Sequence, residues 1–406
     1  MKRLFAIGTF LFLVTAVLGP AKANEKPIKL GAMFISSGPL GGYGINGQRA
    51  ITMALEEINA AGGILGKKLE FVFGDTKLKP EVAVDLAEKF INDDKVDFLM
   101  GPTSSGVALS LSEVARKHKK IIVNTQAATH VLTGAKFNPY LFSTMSNVMM
   151  HSRAGAYFMA SKPCKRWMCI APDYNYGHES WDLFKEKLKK LNPDIEIVGE
   201  TFPKLMATDY SAHIEEILKA KPDGVWCPLW GQDAVNFIRQ AKQAKLFDTI
   251  KFAFPVGAAL ETLVPLGKDT PDGLFMASRY FFTTPDSVEN KEFVKRYFEK
   301  YMEYPDYMAE ETYAGVYFIK AAAERAGSTD AEVIIKAVER EPLAWPTPEG
   351  WKIMRGSDHQ VIEDVVWGET SYSEKFGFSI LKNIESIQAE QICRTPEELK
   401  QVSRNP

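Results

Sequence analysis

The stretch Ile28–Gly47, IKLGAMFISSGPLGGYGING, decides how the fold is read. Its first part, IKLGAMFI (28–35), is a short apolar run that reads as a strand, and GQRAITMALEEINAAGG (47–63) has the period of a helix. Between them GYGING (42–47) fits the dinucleotide fingerprint G-x-G-x-x-G. The spacing speaks against that use. The strand ends near Ile35, so the first fingerprint glycine arrives about seven residues late for the tight first turn. The first acid to end a following strand is Asp75, well past the usual distance of about twenty residues.

Outward from this stretch the chain keeps alternating. LEFVFGD (69–75), helical PEVAVDLAEKFINDD (80–94), VDFLMG (96–101), helical GVALSLSEVARKH (106–118) and KIIVN (120–124) follow in order. The rhythm restarts after YLFSTMSNVMMHS (140–152), with WMCIAP, IEIVGETF, DGVWCPL and IKFAFPV as strands. A third block from GLFMASRYFF (273–282) carries two helical runs and ends on WKIM (351–354) and VIEDVVWGE (361–369). Short apolar runs separated by roughly ten to fifteen residues of helical period read as βαβ units on parallel sheets. The expected fold is α/β, with two Rossmann-like lobes and a chain that crosses between them more than once. Ligands in such sheets sit beyond the carboxyl ends of the strands, where helix N-termini present free N–H groups.

Met1–Ala23 opens on Lys2 and Arg3, runs apolar from Leu4 to Leu18 and closes on Ala21-Lys22-Ala23. That order is a secretory signal, with a core too short to span a bilayer. An exported, soluble product is expected, and export removes it from the cytosolic dinucleotide pool. A net charge of −2 with acids and bases mixed throughout argues against a nucleic-acid or polybasic membrane surface. No cofactor is expected.

The catalytic inventory is thin: there is no G-x-S-x-G, H-E-x-x-H or C-x-x-C, so an enzyme is not expected. His151, near a lobe crossing, reads as a core or surface histidine rather than a cleft residue. Glu56-Glu57 and Glu310-Glu311 read as solvated helix faces. Four cysteines, Cys164, Cys169, Cys227 and Cys393, would permit three pairings in an oxidising compartment, and the sequence does not choose among them.

The polar and aromatic loop residues say more. GPTSSG (101–106) follows a strand and precedes a helix, which places Ser104 and Ser105 at an N-cap. Hydroxyls and free amides there suit a carboxylate, although plain capping would use the same residues. NTQAAT (124–129) holds the same place after the next strand and adds Thr129. Tyr43, Tyr174, Tyr176 and Trp230 also lie just past strand ends, where they make sense as walls of an apolar pocket.

Taken together and in order, SSGPLGGYG (36–44), INAAGGILGKKLEF (58–71), GPTSSG, QAAT (126–129), YNYGHE (174–179) and SDHQ (357–360) carry a resemblance. Nearly the whole mature chain resembles the periplasmic solute-binding proteins of the branched-chain amino acid (leucine/isoleucine/valine-binding) family, which serve ATP-driven importers. The resemblance implies a periplasmic binding protein of type I: two lobes joined by three crossovers, closing on a ligand between them. The lobes would comprise residues 24–147 with 279–357 and residues 148–278 with 358–385, followed by a tail at 386–406. A monomer is expected, with a small carboxylate as ligand and a membrane permease of an ABC importer as partner. The implied carboxylate clamp is Ser104 or Ser105, the backbone of Ala127, and Thr129; the implied aromatic contacts are Tyr43, Tyr176 and Trp230. The glycines of GPLGGYGING would then give a loop the freedom to carry Tyr43 over the cleft.

One position departs from the family. Where amino-acid binders carry an acid that takes the ligand's α-ammonium, the strand IKFAFPVGAAL places Val256. An ammonium opposite valine would lose its hydration without a counter-charge, at a cost of several kcal/mol. A carboxylate without an amine, aromatic or otherwise apolar, is the expected ligand. A branched-chain or other amino acid, an amide, or a sensory role are the alternatives.

Overall fold

The computed structural model describes residues 26–402, so the signal segment read in Met1–Ala23 lies outside the described residues. The first sheet gathers β1 (Ile28–Phe34), β2 (Leu69–Asp75), β3 (Phe98–Met100), β4 (Ile121–Asn124) and β5 (Leu141–Ser143). The second gathers β6 (Arg166–Ile170), β7 (Glu196–Thr201), β8 (Gly224–Trp226), β9 (Lys251–Phe254) and β10 (Phe275–Ser278). Their orders are the same: β2-β1-β3-β4-β5 and β7-β6-β8-β9-β10, parallel throughout. The central strands are buried along most of their length, and Ile121–Asn124 along all of it, because helices cover both faces of a parallel sheet. The fold is the two-lobed α/β architecture that the alternation predicts.

The chain then returns to extend both sheets. The hairpin of β11 (Leu343–Thr347) and β12 (Gly350–Arg355) and the short β13 (Gln360–Ile362) join the first sheet beside β5. The antiparallel pair of β14 (Val365–Ser373) and β15 (Phe378–Ile387) joins the second beside β10. Crossings therefore fall between β5 and β6, between β10 and β11, and between β13 and β14. The last corrects the expected boundary at 357/358. Gln360 pairs with Ser143, and Val361 with Met354, which keeps Gln360–Ile362 in the first sheet. VIEDVVWGE accordingly divides between the two sheets instead of forming one strand.

The segment 386–402 is docked on the body rather than trailing from it. β15 runs to Ile387, Ile392 is fully buried, and Arg153 pairs with Glu398 in a capping-box turn. Arg394 reaches back to Asp358 at 3.0 Å and to the His130 carbonyl at 2.6 Å, so this segment binds both lobes. All four cysteines are buried and unpaired.

The glycine-rich stretch is helical. The helix Gly41–Ala60 takes in GYGING entirely, so these residues form its first turns and not a loop. A Cβ on Gly44 would lie 2.1 Å from the Ile35 carbonyl oxygen, and one on Gly177 would lie 2.0 Å from the Pro172 carbonyl oxygen. Each glycine lets the helix that follows its lobe's first strand begin hard against the end of that strand. Close approach, and not backbone freedom, is what they supply.

Candidate functional site

Because both sheets share one strand order, both present their carboxyl ends and switch points toward the same space. A cleft there, with about 380 Å³ of atom-free space including its mouth, is lined by Tyr43, Thr103, Ser105, Gln126, Ala128, Tyr174, Tyr176, Trp230, Val256, Arg279 and Tyr307. Each comes from just beyond a strand or from a helix start. Thr103 and Ser105 follow β3, Gln126 and Ala128 follow β4, Tyr174 and Tyr176 follow β6, and Trp230 follows β8. Val256 follows β9, Arg279 follows β10, and Tyr307 opens the helix Tyr307–Ala326.

Of the residues named from sequence, Tyr43, Ser105, Tyr176, Trp230 and Val256 come together here. Ser104, Ala127 and Thr129 do not line the cleft. Ser104 is the N-cap of the helix Ser105–His118, yet its hydroxyl makes no capping hydrogen bond. The Ala127 backbone is engaged at both ends: its N–H donates to Asn124 Oδ1 at 3.0 Å, and its carbonyl accepts from Asn124 Nδ2 at 2.8 Å. The Thr129 hydroxyl donates to the Glu179 carboxylate, 2.9 Å from each oxygen. Of the expected clamp, the Ala127 backbone and the Thr129 hydroxyl are thus taken by the protein's own groups, while Ser105 faces the cleft. His151 is a satisfied core residue, with Nε2 2.9 Å from Ser146 Oγ and Nδ1 3.0 Å from the Pro255 carbonyl. Burial, with Arg279 nearby, lowers its pKa to about 3.

Arg279, Gln126, Tyr307 and Thr103 went unread in the sequence. Gln126 is the knot of the first lobe's rim. Its Nε2 donates to the Tyr43 carbonyl at 3.2 Å, and its Oε1 accepts from Thr103 at 2.9 Å. Its carbonyl accepts from Arg279 Nη1 at 3.0 Å. Arg279 is 5% exposed and, among the described residues, is the only charged side chain lining the cleft. Its guanidinium lies 5.1 Å from the Tyr307 ring centroid, and Nη1 lies 3.4 Å from Glu311 Oε2, a loose contact. Its buried Nε has no hydrogen-bond partner. Burial opposes the charge on Arg279, but Glu311, Tyr307 and Tyr176 together hold its pKa above the ordinary value. The signal for it was an arginine set among aromatics at the end of an apolar strand run.

Glu310 and Glu311 correct the reading of a solvated face. Both are fully buried, Glu311 against Arg279 and Glu310 3.2 Å from the buried Lys352. Burial pushes the carboxyl of Glu311 well above the usual range, while Arg279 pulls it back.

Aromatics form the remaining walls. Tyr43 meets Trp230 edge-to-face at 5.1 Å and Tyr307 at 6.4 Å, and Trp230 Nε1 donates to the Tyr174 hydroxyl at 3.1 Å. Val256 packs with Ala128, Val148 and Tyr176. The Tyr43 hydroxyl lies buried beside Tyr307 without a hydrogen bond of good geometry. One guanidinium and several aromatic faces, with no carboxylate among the lining residues, can hold a small apolar anion.

A cleft between the carboxyl ends of two like sheets, built of binding groups and crossed by hinge strands, defines a two-lobed ligand-binding protein. The chain belongs to the periplasmic binding protein family, whose model matches residues 27–373. It is 25% identical over 343 residues to the leucine-, isoleucine-, valine-, threonine- and alanine-binding protein of Pseudomonas aeruginosa, covering 83% of this chain and 89% of that one. In structure it is similar to a periplasmic binding protein of Burkholderia mallei, with TM-score 0.83, 24% identity, and 92% and 97% of the two chains covered. It is also similar to a solute-binding protein of an ABC transporter from Rhodopseudomonas palustris, solved in complex with 3,4-dihydroxybenzoic acid. That comparison gives TM-score 0.81 and 23% identity, covering 90% of this chain and 98% of that one. Among the described residues no helix is long and apolar enough to cross a membrane.

Proposed function

We propose that this protein binds a small aromatic or otherwise apolar carboxylate lacking an α-amino group, in the periplasm, and delivers it to the permease of an ABC importer. The single observation that carries this is Arg279, among the described residues the one charged group facing a cleft whose other walls are aromatic, hydroxyl, amide or aliphatic. A carboxylate would take the open guanidinium edge as a charge-assisted hydrogen-bond pair, and an aromatic body would stack among Tyr43, Tyr176, Trp230 and Tyr307. An α-ammonium would meet Val256 and a like charge on Arg279, and would lose its hydration without return. The structural relatives from Rhodopseudomonas palustris that hold benzoate and 4-hydroxybenzoate favour the same ligand class. The second reading, an amino-acid ligand, rests on the name of the Pseudomonas aeruginosa relative.

Calorimetry with benzoate, 4-hydroxybenzoate and 3-phenylpropanoate against phenylalanine and leucine tests the proposal. Each acid should bind at least roughly a hundred-fold more tightly than its matched amino acid, the equivalent of about 3 kcal/mol. Phenylalanine bound as tightly as 3-phenylpropanoate would return the chain to the amino-acid binders. Val256→Glu should weaken binding of the acids, because the new carboxylate would compete for Arg279 and face the ligand's apolar body.

A further inference from the structure

The hydroxyl that the sequence assigns to the ligand is taken by a side chain of the opposite lobe. Thr129 and His130 follow β4 in the first lobe, and Glu179 sits in the helix Asn175–Leu191, which follows β6 in the second. Glu179 accepts from Thr129 Oγ1 through both oxygens at 2.9 Å, and its Oε2 lies 3.1 Å from His130 Nδ1. The neighbours of this contact are walls of the cleft. Ala128 precedes Thr129, and Tyr176 lies one turn before Glu179 on the same helix face. Thr129 is 2% exposed, and the side chain of Glu179 is 17% exposed, so the contact seals the edge of the cleft rather than lying loose on the surface.

We propose that Glu179 is a positioning residue for ligand retention, a built-in carboxylate that clasps the lobes through Thr129 and His130. By filling the Thr129 hydroxyl it leaves the ligand's own carboxylate to Arg279. An open cleft would expose Thr129 and Glu179 to water. Closure exchanges that hydration for charge-assisted hydrogen bonds made only in the closed state, which is the differential contact a closing equilibrium needs. The clasp depends on the two-lobed binding reading but not on which apolar acid is bound. It governs how long the closed state lasts, so it acts on release more than on capture.

The test is stopped-flow tryptophan fluorescence with benzoate on the full mature chain, comparing Glu179→Ala, Glu179→Gln, Thr129→Val and the Glu179→Ala/Thr129→Val pair. Glu179→Ala should speed release by about ten-fold, the loss of a charged hydrogen bond, with the capture rate within about two-fold of the parent. Glu179→Gln keeps an acceptor oxygen and should lose less. Thr129→Val should add nothing once Glu179 is gone. Equal losses from Thr129→Val with and without Glu179 would place Thr129 on the ligand and overturn the clasp. If benzoate does not bind the parent, the ligand assignment fails and the clasp is read by small-angle scattering of the free proteins. Larger radii of gyration for Glu179→Ala and Thr129→Val than for the parent support it, and unchanged radii overturn it.

Discussion

The two lobes repeat one five-strand order and one glycine contact, yet they furnish the cleft with different chemistry. Gly44 and Gly177 do the same steric service for the helix that follows the first strand of each lobe. Beyond the strand ends the likeness stops. The first lobe contributes hydroxyl and amide groups through Thr103, Ser105 and Gln126, of which Gln126 is tied to Thr103 and to the Tyr43 carbonyl. The second contributes Tyr174, Tyr176, Trp230 and Val256, with Arg279 at the crossing that leaves it. A shared backbone thus sets where binding groups stand, while the loops decide what they are. One rim sets Thr103, Ser105 and Gln126 beside the walls Tyr43, Ala128 and Tyr307, and the other offers only aromatic and aliphatic side chains up to Arg279.

The severest strain on that comparison is removal of its single charge. Arg279→Gln should cost about 3 kcal/mol of binding free energy or more, roughly a hundred-fold in affinity, and should also lower the melting temperature by leaving Glu311 buried beside a neutral partner. Arg279→Lys should keep part of the affinity, since it retains the charge and loses the fork. Calorimetry with benzoate reads both. Arg279→Gln binding within a few-fold of the parent would mean that the carboxylate is held elsewhere.

A second experiment sets rim against rim. Trp230→Ala removes an apolar wall and the edge-to-face contact with Tyr43, and should cost about 2–3 kcal/mol of binding. Thr103→Val breaks the hydrogen bond to Gln126 and the longer one accepted from the Ile35 N–H at 3.4 Å, and should cost about 1 kcal/mol through looser positioning. If the two losses are equal, the division of labour between the lobes is wrong.

The seam between the lobes gives the smallest effect, and one that depends on pH. Asn46 Nδ2 of the first lobe donates to Glu261 of the second at 2.5 Å, and the Glu261 carboxyl faces that of Asp306, which caps the helix carrying Tyr307. Tyr43, Tyr307 and Tyr297 are the other titratable groups facing this pair, with the Arg49–Glu303 ion pair farther out along the same groove. Burial, then Asp306, pushes the Glu261 carboxyl well above the usual range, and burial raises Asp306 too. The folded chain therefore keeps a proton that the unfolded chain releases above its ordinary value of about 4.3. This contribution is complete at low pH and declines as pH rises toward the raised value, by at most about 1.4 kcal/mol per pH unit. Thermal melts of Glu261→Gln against the parent should show a smaller decline with pH in the variant. Parallel curves would remove the shared proton from the seam.

Much of this was legible in the chain itself. Strand and helix alternate because a parallel sheet needs a covering helix between successive strands, and that local period survives in the residue order from Ile28 to Phe282. Tyr43, Tyr176 and Trp230 could be placed at the cleft because residues just past strand ends must stand there once two lobes face each other. Val256 was found through the family resemblance, as the position that matches the acid of the amino-acid binders, and it stands after β9 at the cleft. Glu261, five residues farther, proved to be a seam residue because the helix Leu260–Leu266 turns it toward Asn46.

What the sequence by itself determined is the architecture, the position of the cleft and the family, since these follow from periodicity, spacing and motif order along the chain. Only the tertiary structure decided which partners each polar group has. Thr129 could not be assigned to Glu179, nor Arg279 to the cleft, nor Glu311 to Arg279, from residues that lie 50, 153 and 32 positions from their partners Glu179, Gln126 and Arg279. Glu310 and Glu311 looked solvated because a helical pair of acids is solvated unless something elsewhere in the chain buries it. Arg279 and Lys352 do so here, and charge pairing inside a protein is a property of distance in space and of local dielectric, neither of which is written in the order of residues.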